Sequence, residues 1–360
     1  VLQLDGSTAA VLGPAGGRQA AWLDAVARRF AAELHSDLPA VNQLVEHVQQ
    51  YRGKMLRPTL VLASAEAAGL IGPDDSQASE CADALTTLAV VVEMVHMATL
   101  VHDDVLDESQ VRRRAPTINL LRGNEAAVML GDYLISHAYH LCSSLDRPDL
   151  ARLIAATTNT VCEGELLQLS RRDDLSLDER TYSEIIRRKT ASLTGACCVL
   201  PVRWAQPLAP EAWASQSDGP AGALERFGQR VGMAFQIVDD LLDLTGRAER
   251  VGKTLGRDLA KGKLTLPLIL YLQQAAPDDR QWVQTLAQRA RDPARPMAPD
   301  TAPLDKLRRR LRDAGALDAA RQRARDLVDR ACEELAEQLP ETPGRHRLTA
   351  MAQAVIDRER

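Results

Sequence analysis

Residues 81–107 read CADALTTLAVVVEMVHMATLVHDDVLD. From Ala84 to Val101 the only ionisable residues are Glu93 and His96, and the run then ends in Asp103-Asp104-Val105-Leu106-Asp107. An apolar stretch of this length without Gly or Pro is too long for a strand and fits a helix. It has the length of a membrane span, but the two polar interruptions and the acidic flank favour a helix buried in a protein core, so no transmembrane segment is expected.

Outward from this segment, apolar residues recur at three- and four-residue spacing through Arg18 to Leu34, Thr59 to Ala68, Glu125 to Leu145 and Leu150 to Leu169. The same spacing continues through Tyr182 to Leu200, Ala223 to Leu244 and Leu307 to Leu339, and no convincing period-two alternation is seen. The expected fold class is all-α. One domain over residues 18–360 is expected, after a flexible segment 1–17, with surface loops at 205–222 and 292–303. The chemistry described below spreads from Gly53 to Lys263 and has to converge, which argues against reading those loops as domain linkers.

Composition agrees with this reading. The 360 residues are 45% apolar and 26% charged, ordinary for a globular protein and incompatible with disorder. Aromatic residues make up only 3%, which disfavours β-sandwiches and barrels as well as base-stacking nucleic-acid binders. The 44 basic against 49 acidic residues leave a net charge of -5, so no nucleic-acid partner is expected. Six cysteines form no CxxC pair and no secretory leader is visible, so reduced thiols, mostly buried, and a cytoplasmic location are expected.

The acidic end of the opening segment is repeated as Asp239-Asp240-Leu241-Leu242-Asp243. On a helix, Asp103 with Asp107 and Asp239 with Asp243 each place two carboxylates on one face, where like charges repel. A single such cluster is as well explained by a solvated acidic face. Two copies, each preceded by apolar helix, call for cations. Hard Mg2+ takes one or two carboxylates together with substrate phosphate oxygens, whereas the Asp spacing and central Gly of a Ca2+ EF-hand are missing. Basic residues accompany the clusters: Arg112, Arg113 and Arg114 after the first, Lys54 and Arg57 in Gly53-Lys54-Met55-Leu56-Arg57-Pro58, and Lys253 and Lys263 in Gly-containing segments after the second. Lys or Arg beside Gly suits phosphate, although each taken alone is as readily a surface charge. His96 lies seven residues, two helical turns, before Asp103 and shares its face; Gln236 precedes Asp239 by three.

Taken in order, Gly-Lys-x-x-Arg-Pro, His96 to His102 leading into DDxxD and Arg112-Arg113, Gly131-Asp132-Tyr133-Leu134, Glu163-Gly164-Glu165, Lys189-Thr190-Ala191, Phe235-Gln236 before the second DDxxD, and the Gly-Lys block from Gly252 to Pro267 resemble the trans-isoprenyl diphosphate synthases, the polyprenyl synthetase family, from about Leu44 to Arg360. The long-chain, octaprenyl-like members are the most similar. The resemblance implies a homodimeric bundle of mostly antiparallel helices around a deep cavity, with the two DDxxD helices facing one another at its mouth. It also implies head-to-tail condensation of isopentenyl diphosphate with an allylic diphosphate, aided by three Mg2+, and peripheral contact with a membrane because the product is a lipid. By resemblance, Asp103, Asp107, Asp239 and Asp243 hold the metal, with Asp104 assisting. Lys54, Arg57, His96 and Arg113 bind isopentenyl diphosphate. Arg112, Lys189, Thr190, Gln236, Lys253 and Lys263 serve the allylic diphosphate, and Lys189, Thr190 and Gln236 also steady the cation.

Two departures stand out. The family usually has Gly-Gly before the Lys and a basic residue after it, where this chain has Arg52-Gly53 and Met55, and its Arg-Arg-Gly is here Arg112-Arg113-Arg114. The family's chain-length position, five before the first cluster, is Ala98, which implies an open tunnel and a hexaprenyl to decaprenyl product. A stopper at Met129 or Tyr133 would give geranylgeranyl diphosphate instead. A non-catalytic subunit of a heteromeric synthase is the rival from another class, but such subunits tend to lose one cluster. A terpene cyclase normally lacks the second DDxxD.

Overall fold

A computed structural model of the protein describes residues 17–51, 53–71, 78–113, 115–206, 219–245, 256–290 and 302–358. Among these, structure is almost wholly helical, in two compact units.

The first unit comprises Val1–Asn159, Leu193–Gly228 and Cys332–Ala354. Its helices begin with α1 (Arg18–Glu33), α2 (Pro39–Gln49), α3 (Leu56–Ala67) and α4 (Ala78–Leu106). The α4 stretch Glu80–Leu106 has a mean hydropathy of 1.8 in its most apolar window, enough by length and composition to cross a membrane. Of that window, 78% is buried inside the protein, which marks α4 as the core helix of its unit. It packs on α6 (Asn124–Ser143), α3 and α1, and Leu88 through Val92, Met94, Met97 and Ala98 are at most 1% exposed. At the α4–α6 crossing, a Cβ on Gly131 would lie 2.1 Å from the His102 ring, so only glycine admits that side chain.

After α4 comes a short antiparallel hairpin absent from the sequence reading, β1 (Val111–Arg112) with β2 (Ala115–Pro116). Two residues per strand are too few for alternation to register. α5 (Ile118–Arg122) leads into α6, and α7 (Pro148–Ser170) follows.

The second unit comprises Thr160–Ser192, Gln229–Ala331 and Val355–Arg360. α8 (Glu179–Ile186) starts on an Asp178 carboxylate that accepts the Thr181 N–H at 2.8 Å, a cap of about 1 kcal/mol. The single helix expected over Tyr182 to Leu200 is in fact interrupted: Arg187–Ala191 form one π-helical turn before α9 (Ser192–Ala205). Such turns widen the backbone locally and recur at functional sites. α10 (Pro220–Thr245) carries the second aspartate cluster. Then follow α11 (Arg257–Ala260), α12 (Leu266–Gln274), α13 (Pro277–Ala290) and α14 (Ala302–Asp313). α15 (Ala316–Gln338) and α16 (Pro343–Ile356) complete the described helices. By residue, α7 from Thr160 belongs to the second unit, and α9 from Leu193, α10 to Gly228, α15 from Cys332 and α16 to Ala354 belong to the first.

The expected helix over Leu307 to Leu339 is two helices. Gly315, at φ +70°, supplies the left-handed residue that closes α14. The loop expected at 205–222 is shorter than its bounds, since Ala205 ends α9 and Pro220 begins α10, and Ala302 and Pro303 already belong to α14. The remainder of both loops, and residues 1–16 of the N-terminal segment, lie outside the described residues. The six cysteines are thiols; Cys142, Cys197 and Cys198 are buried, Cys81 and Cys332 intermediate and Cys162 exposed, so half rather than most are fully buried.

Candidate functional site

In the first unit, the site residues gather around the C-terminal half of α4 and the start of α3. Met55 adopts φ +54° immediately before α3, and Pro58 sits in the first turn, where its missing N–H leaves no intrahelical bond unmade. Arg57, the second residue of α3, is held in largely protein surroundings; burial lowers its pKa, opposed by Cys197 and Glu93. Glu93, the lone acid of the α4 apolar run, is 3% exposed. It stands one turn before Met97 and near enough to Arg57 and Arg113 to raise the pKa of both. Sequence reading noted it only as an interruption of the apolar stretch.

His96 is the residue on which this group converges. Burial pushes its pKa well below the ordinary histidine value, and Arg57, Arg113 and Arg112 push the same way, so the ring is neutral at pH 7. Three guanidinium groups around an uncharged imidazole form a cationic patch that wants an anion. Lys54 is exposed at the edge of the same segment.

The hairpin sets the two arginines differently. Arg112 forks onto Asp104, with Nε at 3.0 and 2.9 Å from the two carboxylate oxygens and Nη2 at 2.8 Å from Oδ1. Asp104 is 1% exposed, so burial lowers the arginine's pKa but the carboxylate outweighs it and the net shift is upward. The second aspartate of the cluster is therefore an internal counter-ion, and the half-buried Asp103 and Asp107 remain as the carboxylate pair of the helix face. Arg113 takes φ +50°, the left-handed conformation that a two-residue hairpin turn demands and that costs a non-glycine residue about 1 kcal/mol. Its guanidinium crosses the backbone of Gly53 and donates to the Tyr51 carbonyl. Tyr51, fully buried, uses its hydroxyl to accept the Ile118 N–H at 2.9 Å, tying the Gly-Lys loop to the start of α5. Ala98 is fully buried on α4, whereas Met129 on α6 is 65% exposed.

In the second unit the π turn presents Lys189 and Thr190. Gly164 on α7 makes this fit: a Cβ there would come within 2.5 Å of the Lys189 backbone nitrogen. The Lys189 ammonium donates to Gln168 at 3.0 Å and pairs with Glu165. Thr190 donates its hydroxyl hydrogen to Gln236 Oε1 at 3.0 Å, and Gln236 Nε2 donates to Asp240 Oδ1 at 2.8 Å. Asp240 is 5% exposed and also accepts from the Tyr182 hydroxyl at 2.7 Å. Burial, followed by the nearby Asp258 charge, raises its pKa well above the carboxylate range.

Asp239, in contrast, keeps a side chain 53% exposed, 3.8 Å from Arg358, whose guanidinium stacks 4.5 Å over Phe235. Asp243 accepts from the backbone N–H groups of Arg257 and Asp258, both at 3.3 Å, and burial and Asp258 raise its pKa to about 7. The Lys263 backbone N–H donates to the Asp258 carbonyl at 2.8 Å. Lys253 lies outside the described residues. Glu93, Tyr51, Tyr182 and Arg358 were not among the sequence candidates, and Glu165 entered only within the Glu163-Gly164-Glu165 motif, without a role. Glu93 carried a signal of its own, as an acid alone in an apolar helix.

Among the described residues no three His, Cys, Asp or Glu side chains form a metal cage. In each unit the oxygen donors come instead as pairs and single carboxylates beside cationic groups, the kind of donor that suits a hard cation shared with phosphate oxygens.

Comparison with known proteins bears on what that pairing is for. The octaprenyl diphosphate synthase of Escherichia coli (strain K12) is 33% identical over 330 residues, spanning 91% of this chain and 93% of that protein. An all-trans-nonaprenyl-diphosphate synthase (geranyl-diphosphate specific) of Rhodobacter capsulatus is 35% identical over 343 residues, 92% and 96% of the two chains. The crystal structure of a polyprenyl synthase from Caulobacter crescentus CB15, complexed with calcium and isoprenyl diphosphate, superposes with a TM-score of 0.81 at 32% identity, covering 94% of this chain and 95% of that one. Residues 38–297 match the sequence profile described as polyprenyl synthetase. With that match and these whole-length relatives, the chain belongs to the polyprenyl synthetase family.

Proposed function

We propose that this protein is a prenyltransferase that condenses isopentenyl diphosphate with an allylic diphosphate, head to tail, to make a long-chain all-trans polyprenyl diphosphate. The observation that carries the reading is the neutral His96 among Arg57, Arg112 and Arg113, adjoining the helix face that bears Asp103 and Asp107. The whole-length octaprenyl and nonaprenyl relatives favour a long product over the geranylgeranyl and non-catalytic alternatives.

The donor set fits Mg2+. Asp103 and Asp107 in one unit, and Asp239 with Asp243 in the other, offer hard oxygens in pairs, and a relative's structure holds calcium with an isoprenyl diphosphate. When bound, the metal withdraws charge from the allylic diphosphate and makes it a leaving group. Asp104 and Asp240, both buried and hydrogen-bonded within the protein, serve as anchors for Arg112 and Gln236.

Lys54, Arg57, Arg113 and the neutral His96 hold the diphosphate of isopentenyl diphosphate, the arginines as forks and the imidazole as a single donor. Arg112, steadied by Asp104, keeps N–H groups for the allylic diphosphate. The allylic C–O bond breaks with its electron pair leaving on the diphosphate. The double bond of isopentenyl diphosphate supplies the pair for the new C–C bond, and a proton passes to the departed diphosphate. Thr190 and Gln236 set fixed dipoles beside the carbon that becomes cationic, and Lys189 contributes charge toward the leaving group. Ala98 leaves room where a bulkier side chain would stop the growing chain.

A second copy of the chain is the proposed partner. Leu121, Val128 and Met129, 47%, 41% and 65% exposed, form an apolar stripe along α5 and α6, the kind of face that homodimers cover.

Purified protein with Mg2+, isopentenyl diphosphate and geranyl, farnesyl or geranylgeranyl diphosphate is expected to give a ladder of long polyprenyl diphosphates by mass spectrometry. No elongation from any primer refutes the function. Asp103→Ala and Asp239→Ala are each expected to lower turnover by about 100-fold or more with the helical circular dichroism retained, as loss of a metal-holding carboxylate requires.

A further inference from the structure

We propose that Tyr182, outside the motifs quoted above, is a positioning residue for the condensation: through the buried carboxyl group of Asp240 it fixes the orientation of Gln236 and, with it, the Thr190 hydroxyl. The inference rests on the reading above that Thr190 and Gln236 face the reacting allylic group.

The bonds form one directed chain. Tyr182, 3% exposed on α8, donates to Asp240 Oδ2 at 2.7 Å. Gln236 Nε2 donates to the other carboxyl oxygen at 2.8 Å, and Gln236 Oε1 accepts from Thr190 at 3.0 Å. Tyr182 donates to Oδ2 and leaves Oδ1 to accept, so Asp240 holds the amide with nitrogen inward and oxygen toward Thr190. A flipped amide would put an oxygen against a carboxylate oxygen in a site that is 5% exposed at Asp240, where unpaired polar atoms are costly. The carboxyl group in turn depends on Tyr182. Without the phenol one of its oxygens loses its only side-chain donor among the described bonds, and the group that anchors Gln236 is free to turn.

The two middle aspartates of the repeated motif are thus alike in burial and different in use. Asp104 steadies a cation, Arg112, whereas Asp240 steadies a neutral dipole. Among the described residues no arginine bonds Asp240, and the Tyr182 phenol supplies its second donor.

The test compares wild type, Tyr182→Phe, Gln236→Ala and the double variant in steady-state elongation, with melting temperatures measured on each. Tyr182→Phe keeps the ring, and it is expected to lower kcat by about 10- to 100-fold, less than loss of a direct electrostatic contact costs, with KM for isopentenyl diphosphate changed by less than about twofold. In the Gln236→Ala background the same substitution is expected to lower kcat by less than about twofold, because the group it positions is gone. A Tyr182→Phe kcat within about twofold of wild type, or an equal loss in both backgrounds, overturns the proposal. Wild-type protein that elongates no primer removes the underlying function, whereas elongating wild type with an unaffected Tyr182→Phe removes this inference alone.

Discussion

Replacing Gly53 by alanine separates binding from folding at the proposed isopentenyl diphosphate site. The Gly53 backbone is in a conformation open to any residue, but its new Cβ would lie 2.4 Å from both terminal nitrogens of Arg113 and 2.6 Å from the carbon between them. The obstructed atoms are the far end of a long side chain, so the backbone stays and the guanidinium moves. Arg113 then gives up its bond to the Tyr51 carbonyl, at a stability cost of about 1 kcal/mol. What it loses at the substrate is larger. A hydrogen bond between charged groups is worth about 1.5–3 kcal/mol, so KM for isopentenyl diphosphate is expected to rise about 10- to 150-fold. Initial rates at saturating allylic primer with varied isopentenyl diphosphate measure this, alongside Arg113→Ala and the double variant. The double variant should be no worse than Arg113→Ala alone. A Gly53→Ala KM within about twofold of wild type would refute the placement of Arg113 at that diphosphate.

Ala98→Phe adds a ring at a fully buried position and is expected to shorten the product ladder, with an overpacking cost of about 1–3 kcal/mol; an unchanged ladder by mass spectrometry removes Ala98 as the gate. Gly164→Ala drives a Cβ into the Lys189 backbone, so both melting temperature and kcat are expected to fall, and a variant normal in both measurements contradicts the packing of α7 on the π turn. His96 carries a pKa well below its unfolded value of about 6.5, through burial and three arginines. As pH falls through the unfolded value, the unfolded chain takes up a proton that the native protein refuses, so this contribution is complete above that pH and is lost below it, by at most about 1.4 kcal/mol per pH unit. Urea unfolding from pH 7 to pH 5 is expected to show a shallower loss in His96→Gln than in wild type, and identical slopes would mean that the ring is charged in the native state.

Some of this architecture lies in local sequence. The core helix α4 is written in 18 residues without a breaker, and the carboxylate pairs follow from a four-residue spacing that any helix puts on one face. His96 was placed near Asp103 by helical geometry alone, and the basic Gly-Lys and Arg-Arg segments announced an anion. The π turn, the break at Gly315 and the two-residue strands were not legible, because each is a shift of one hydrogen bond or one φ angle within a pattern that periodicity reads as continuous.

Partnerships were not legible either. Local sequence makes Asp103 and Asp104 equivalent, and likewise Asp239 and Asp240, since all four adjoin apolar helix. Tertiary packing separates them: Asp104 is buried against Arg112 across the hairpin, and Asp240 against Tyr182, 58 residues away, while Asp239 stays exposed. By itself, then, the sequence determined the helical class, the family and the kinds of chemical group present, because periodicity and motif spacing are local properties. Which carboxylate is tied to Arg112 or Tyr182 and which stays exposed was decided only in three dimensions. Burial and long-range hydrogen bonds make that choice, and neither has a local signature.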